Sequence, residues 1–360
     1  MKKFFFTPGP SQLYYTAEEH IKNALKESVP SISHRSKAYE KIHAAAIENI
    51  RELLNLPDDY HIFFTSSATE IWERIVQNLV ERESFHLVNG AFSRRFHEIA
   101  ENYGINALYS EAKAGTVVEA ESLLIPETAE LISITHNETS TGASQPVEDI
   151  YKIRQAFPDQ LIAVDVVSSA PYVNLDYAQI DTAYFSVQKC FGLPAGLGVW
   201  IVNDRCMQKA QQLLNNDLII GSYHSLPSLH EKGIKNQTPE TPNMLGIYLL
   251  GKIAEDMLNK GLEQIRRETD YKAAVLYEAF NQSDLLSPFV DNKAHQSKTT
   301  LVAQCSVPSA EIINKLAERS FIIGGGYGSF KNDHIRIANF PTHSKEHMEI
   351  LADELVKIKN

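Results

Sequence analysis

Apolar positions along this chain change their period repeatedly. In residues 38–54, Ile42, Ala45, Ala46, Ile50, Leu53 and Leu54 recur at helical spacing, which predicts an amphipathic helix. His61-Ile62-Phe63-Phe64-Thr65 is a short β-branched and aromatic run and predicts a strand. A turn at 66–69 and a helix over 70–81 follow. The alternation continues with a strand at 85–88, a helix at 92–103 and a strand at 105–109. Further strands are expected at 131–135, 161–164, 182–185 and 199–202. Strands alternating with helices imply a mostly parallel sheet covered on both faces, with ligands held beyond the carboxyl ends of the strands. The loops after Thr65, Thr135, Asp165 and Phe185 would then meet at one edge.

Past residue 245 the pattern changes. Two long helices are expected over 246–261 and 262–280, then a strand at 299–306 and a helix at 310–319. A strand at 334–338 and a final helix at 345–359 complete a smaller α+β region. The predicted division is a large domain over 16–245 and a small one made of 1–15 and 246–360.

Bulk properties narrow the function. A chain of 360 residues with 43% hydrophobic and 22% charged residues suits an ordinary soluble protein with a large core. A net charge of −11 disfavours nucleic-acid binding and requires that any anionic ligand be held by local donors. The apolar run after Met1-Lys2-Lys3 is too short for a leader and is ended by Pro8-Gly9-Pro10, no stretch is long enough to span a membrane, and a cytoplasmic location is expected. Cys190, Cys206 and Cys305 have neither disulfide-framework nor metal-ligand spacing.

The chemistry is concentrated at strand ends. Leu161-Ile162-Ala163-Val164 ends on Asp165, and Thr182-Ala183-Tyr184-Phe185 is followed by Ser186-Val187-Gln188-Lys189. A strand-end aspartate and a later strand-end lysine are what a pyridoxal-phosphate enzyme needs. The lysine carries the cofactor covalently and then moves the substrate Cα proton, while the carboxylate keeps the pyridinium nitrogen charged. Each residue also has a plain alternative: a turn for Asp165, a solvated loop cation for Lys189. Ser66-Ser67-Ala68-Thr69 is either an N-cap or a phosphate cradle. Phe92 is either a core contact or a ring stacked on a cofactor. His136-Asn137-Glu138-Thr139-Ser140-Thr141-Gly142 is a polar turn, with Thr139 able to reach a cofactor oxygen. Ser33-His34-Arg35-Ser36 is a helix cap or an anion-binding corner. Arg336, on a strand, is a candidate fork for a substrate carboxylate.

Taken together and in this order, these segments resemble class V pyridoxal-phosphate-dependent aminotransferases. The resemblance runs from Phe6-Thr7-Pro8-Gly9-Pro10-Ser11 to the Arg336 segment. It implies a fold-type-I α/β architecture with a smaller C-terminal α+β domain, and a homodimer with active sites at the subunit interface. It implies Lys189 and Asp165 as catalytic residues. Ser67, Ala68, Thr69 and Gln188 fall on phosphate-contacting positions, Phe92 on the stacking position and Thr139 beside the cofactor oxygen. Thr241, in Glu240-Thr241-Pro242, matches a threonine lent to the neighbouring subunit's cofactor, and Arg336 matches the grip on the substrate carboxylate.

Two branches share the features. Ser33-His34-Arg35-Ser36-Lys37 and Leu53-Leu54-Asn55-Leu56-Pro57-Asp58-Asp59-Tyr60 look like phosphoserine aminotransferase, which would make His34 and Arg35 substrate-binding and imply a role in serine biosynthesis with 2-oxoglutarate as acceptor. The segments His136 to Gly142 and Gln188-Lys189-Cys190 look more like serine–glyoxylate or alanine–glyoxylate aminotransferase. Gly326-Tyr327-Gly328 stands where the phosphoserine branch has a His-Arg pair, and Glu240 where it has asparagine. Small amino acids and 2-oxo acids are the expected substrates. A desulfurase and a non-catalytic binding protein of the same fold are the competing readings.

Overall fold

A computed structural model describes residues 3–359; Met1, Lys2 and Asn360, the outer ends of the expected small domain, lie outside the described residues. The large sheet has seven strands in the order Tyr60–Thr65, Gly198–Asn203, Thr182–Ser186, Leu161–Asp165, Leu131–Thr135, Glu83–Val88, Asn106–Glu111. Gly198–Asn203 runs antiparallel to both of its neighbours, and the other pairs are parallel. The four strands from Gly198–Asn203 to Leu131–Thr135 are buried along their whole length. Helices cover both faces, which is why these runs are continuously apolar rather than alternating. The register sets Thr135 opposite Asp165 and Asp165 opposite Tyr184. One row across the carboxyl edge of the sheet therefore carries the polar residues.

Helix Lys37–Leu54 starts where the Ser36 side chain accepts the Tyr39 N–H, and it ends on left-handed Asn55 at φ 52°. It buries Tyr39, Ala46, Ile50 and Leu53 against helix Met244–Lys260. A Cβ on Gly251 would stand 3.1 Å from the Ala46 Cα, so glycine sets how closely the two helices approach.

The smaller sheet has the order Phe4–Phe6, Phe321–Gly325, His334–Ala338, Thr300–Cys305, Leu286–Pro288. Helices Leu262–Gln282, Ser309–Glu318 and Lys345–Lys357 pack on it around Phe280, Leu301, Ile337 and Leu351. The N-terminal strand pairs parallel with Phe321–Gly325, and the chain then crosses to the large sheet, where the Ser11 N–H donates to the Gln188 carbonyl at 3.0 Å.

The periodicity misplaces some elements. Helix Ala68–Leu79 begins two residues before its expected start, because the Ser67 side chain accepts the Glu70 N–H and the Glu70 carboxylate takes the Ser66 N–H and hydroxyl. Helices Ala17–Lys26, Val147–Ala156, Asp204–Asn215 and Leu226–Gly233 and strand Phe321–Gly325 were not among the expected elements. Their apolar faces are short or interrupted, and tertiary contact sustains them.

Candidate active site

Lys189 lies three residues past strand Thr182–Ser186 and is buried, 8% exposed. Its Nζ donates to the Thr139 Oγ1 at 2.8 Å and lies 5.0 Å from the centre of the Phe92 ring. Burial pulls the amine below the usual lysine range, against the pull of Asp165 in the other direction. A larger fraction of neutral, nucleophilic amine follows at neutral pH.

Asp165 is fully enclosed at the end of its strand. Burial raises its carboxyl to about 6, opposed by the Val167 N–H, which donates at 2.9 Å, and by Lys189. Tyr184 stands opposite Asp165 in the register, and the Trp72 Nε1–H donates to the Tyr184 oxygen at 2.8 Å. Among the described residues Asp165 and Lys189 form no ion pair within 4.0 Å. Two opposite charges buried near each other without touching are costly unless something joins them.

Thr139 is placed by a buried network. Its hydroxyl donates to the Ser168 Oγ at 3.0 Å, Asn137 Nδ2 donates to the same oxygen at 2.8 Å, and Ser168 in turn donates to the Asn137 carbonyl at 2.9 Å. Glu138 organises the next segment. Its carboxylate accepts the N–H groups of Phe92, Ser93 and Ser140 and the hydroxyls of Ser93 and Ser140. A carboxylate at the N-terminus of helix Ala91–Asn102 suits the helix dipole. Gly90 is required there, since a Cβ would fall 2.3 Å from the Glu138 Cγ.

On the other side of the lysine the strand-to-helix turn at Ser66–Ala68 presents small residues. Ser67 is half-buried, Thr69 is exposed, and the Ala68 N–H donates to the Ser186 Oγ at 2.7 Å. Gln188 is half-buried next to Lys189. Arg336 arrives from the small sheet. Its Nε donates to the Gly325 carbonyl at 2.8 Å and Nη1 to the Thr139 carbonyl at 3.3 Å, which fixes the guanidinium plane beside the lysine network. The Tyr327 ring lies 5.3 Å from that guanidinium and 5.2 Å from the Phe92 ring.

His34, Arg35 and Thr241 gather elsewhere on the rim. Arg35 donates to the Gln237 side chain at 3.0 Å and to the Thr238 and Pro239 carbonyls at 2.7 and 3.1 Å. His34 Nδ1 is 3.4 Å from the Thr241 hydroxyl. Arg35 thus braces the loop carrying Thr241, a contact that the helix-cap reading did not anticipate.

The N-terminal segment is the largest omission. A Cβ on Gly9, at φ +141°, would stand 3.0 Å from the Lys189 Cε, and one on Gly324 2.8 Å from the Pro8 Cδ. Pro8-Gly9 therefore lies between the lysine stem and the small sheet. Glu138, Ser168, Trp72 and Tyr184 were also missed. Glu138 sits inside the polar segment singled out above, and Ser168 lies three residues past the Asp165 strand end; Trp72, inside a helix, and Tyr184, inside a strand, carry no local signal. All three cysteines are buried, and burial raises their thiols, that of Cys305 to about 12. That disfavours a persulfide-forming cysteine.

The model of the family described as aminotransferase class-V matches residues 4–331 of this chain. A solved phosphoserine aminotransferase from Cytophaga hutchinsonii is 49% identical, with a TM-score of 0.97 and 98% of each chain covered. A phosphoserine aminotransferase of Rhodococcus jostii is 26% identical over 358 residues, covering 97% of this chain and 93% of that protein. An aspartate aminotransferase from Thermus thermophilus shares the fold at TM-score 0.86 with 23% identity and 98% of each chain covered.

Proposed function

The chain belongs to the aminotransferase class-V family, and from that premise we propose that it moves an amino group from O-phospho-L-serine to 2-oxoglutarate using pyridoxal phosphate. The observation that carries the cofactor is the buried Lys189 amine set between Thr139, the Phe92 ring and the enclosed carboxyl of Asp165. A group with an aldehyde at one end and a basic ring nitrogen at the other joins the two charges, and its flat ring suits the Phe92 face. The residues present therefore fit this cofactor.

When bound, the cofactor supplies an aldehyde that takes up the amino group and a protonated ring that draws electrons from the substrate Cα. Lys189 Nζ would hold the cofactor and, when released from it, would be the group that moves the substrate Cα proton. Thr139 and Asp165 hold the polar groups around it in a site where burial strengthens each interaction. Asp165 would hold the ring nitrogen in its charged form. Ser67, Ala68, Thr69 and Gln188 supply N–H and hydroxyl donors to the phosphate at the start of helix Ala68–Leu79. Arg336, its plane already fixed, takes the substrate carboxylate. Thr241, from a second copy of the chain, completes the phosphate site, with Arg35 adding positive charge and His34 a hydrogen-bonding ring at the rim.

The 49% identical relative, matched over nearly the whole chain, supports the phosphoserine reading over the glyoxylate one. Steady-state turnover of O-phospho-L-serine, L-serine and L-alanine with 2-oxoglutarate or glyoxylate tests it. Phosphoserine should be preferred over serine by roughly 100-fold or more in kcat/KM, as expected where charged groups recognise the extra phosphate. Equal turnover of L-alanine with glyoxylate would overturn it.

A further inference from the structure

Helix Ala68–Leu79 and the loop carrying Thr241 are joined by one side chain that has no place in the reaction above. His224 is buried, 4% exposed. Its Nδ1 pairs with a carboxylate oxygen of Glu70, and its Nε2 lies 3.2 Å from the Glu240 Oε2. The second contact is at ion-pair distance but off the line of a hydrogen bond, and neither atom has another hydrogen-bond partner. Glu70 is the residue whose N–H caps onto Ser67 and whose carboxylate holds Ser66. Glu240 immediately precedes Thr241. The histidine thus ties the turn assigned to one cofactor phosphate to the loop whose Thr241 is assigned to the phosphate of the neighbouring copy.

Charge explains why a histidine is needed. Glu240 puts a carboxylate next to a residue meant to meet a phosphate, and an unpaired anion there would repel it. Arg74 lies 3.4 Å from Glu70, so Arg74, Glu70, His224 and Glu240 form a chain with two positive and two negative charges when the imidazole is protonated. Burial alone would lower His224, but Glu240 and Glu70 outweigh it and raise the imidazole to about 9. Glu70 falls to about 2, as its bonds to His224 and Ser66 overcome burial. The other titratable groups around the chain are Tyr223, whose ring is 4.2 Å from the imidazole, and Tyr39 on helix Lys37–Leu54, which Glu240 and Arg35 both reach electrostatically.

We propose that His224, held between Glu70 and Glu240, is a positioning residue that clamps the 238–241 loop to the phosphate turn of its own chain, so that Thr241 is held in place for the phosphate of the neighbouring copy and the phosphate affinity of the two-copy site depends on the clamp. The inference rests on the function proposed above, because it assumes that Ser67 meets its own chain's cofactor phosphate and Thr241 that of the neighbouring copy.

The sign of the pH effect is determined by the raised value. The clamp is complete below about pH 6.5, the ordinary histidine value, and is lost as pH rises through about 9. The test uses the apo-protein and pyridoxine 5′-phosphate, which keeps the phosphate but has no aldehyde and so cannot react with Lys189. Its affinity is measured from pH 6.5 to 10, together with hydrogen exchange of residues 236–243. In the natural protein the affinity should hold to about pH 8 and then fall about tenfold, the effect of losing one partly buried ion pair. The loop should exchange faster over the same range. His224→Gln should bind weakly at every pH, with no step. Glu240→Gln, a change at a partly exposed carboxylate that leaves the fold intact, should move the step to lower pH.

A natural protein whose affinity and loop exchange are flat to pH 10 would overturn the proposal. So would a His224→Gln protein with natural affinity and only a lower Tm. If pyridoxine phosphate fails to bind at any pH while the exchange step at 236–243 persists, the cofactor reading is what fails and the clamp stands.

Discussion

The floor of the site and its rim are built by different means. The floor consists of Lys189, Asp165 and Thr139, set within four residues of the carboxyl ends of parallel strands of one sheet, with buried side-chain hydrogen bonds joining Lys189 to Thr139 and Thr139 to Ser168. The rim consists of Arg336, Tyr327, His34, Arg35 and Thr241, drawn from the small sheet and from loops, with Tyr327, Arg35 and Thr241 exposed. On the floor, the low dielectric shifts protonation states, which is what proton transfer needs. On the rim, water screens the exposed charge of Arg35, while Arg336 is half-buried and its guanidinium is lowered by burial. Under the proposed function, reaction type would belong to the floor and substrate choice to the rim.

Substitutions along this axis should separate the two. Lys189→Ala should have the largest effect: a fall in kcat of about 10³-fold or more, from loss of the proton-moving amine. Single-turnover conversion of phosphoserine measures it, and retention of a tenth of the natural rate would place the proton transfer elsewhere. Asp165→Asn should lower kcat by roughly 10²-fold through loss of the charge partner, and it should do something no rim substitution does. The carboxyl is raised to about 6 in the folded apo-protein against an ordinary 3.8. Its destabilising effect is therefore absent below about pH 4 and complete above about pH 6. At pH 8 the Asn variant should be more stable than the natural apo-protein by a few kcal/mol, and denaturant unfolding at pH 4 and 8 checks this. A variant that is less stable at pH 8 would show that the carboxylate is better accommodated than its burial implies.

The rim should respond in affinity rather than rate. Arg336→Ala should raise KM for every amino donor by about 100-fold with little change in kcat, as for a lost charge-assisted fork. A matching fall in kcat would move this arginine into the chemical step. The smallest effect is expected from Arg35→Ala, about three- to tenfold in KM for phosphoserine. Because Arg35 braces residues 237–239, cofactor affinity should weaken with it. A loss confined to phosphoserine, with glutamate and the cofactor unaffected, would instead show direct contact with the substrate phosphate.

Much of the floor was legible in the chain alone. A β-branched run ending on Asp165 and another followed closely by Lys189 bring those residues to one edge of any right-handed parallel sheet, because strand direction and connection handedness leave little choice. The polar segment from His136 to Gly142 falls there for the same reason. The rim was less legible. Arg35 stood in a recognisable segment, but nothing local shows that its donors face the carbonyls of Thr238 and Pro239, some two hundred positions later. His224 has no neighbours in sequence that mark it, and its importance arises only because Glu70 and Glu240 flank it in space.

Pattern and composition were enough to establish the α/β class, the ligand-bearing edge and the lysine–carboxylate pair, since each follows from local periodicity and from the fixed direction of parallel strands. Folding in three dimensions settled how enclosed those groups are, and hence which way their protons shift. It also placed Pro8-Gly9 against the lysine stem, gave Arg35 to its own loop and set an imidazole between two carboxylates. Those are contacts between distant segments, and a one-dimensional pattern does not encode them, because burial and Coulomb energy depend on which surfaces meet rather than on which residues are adjacent in the chain.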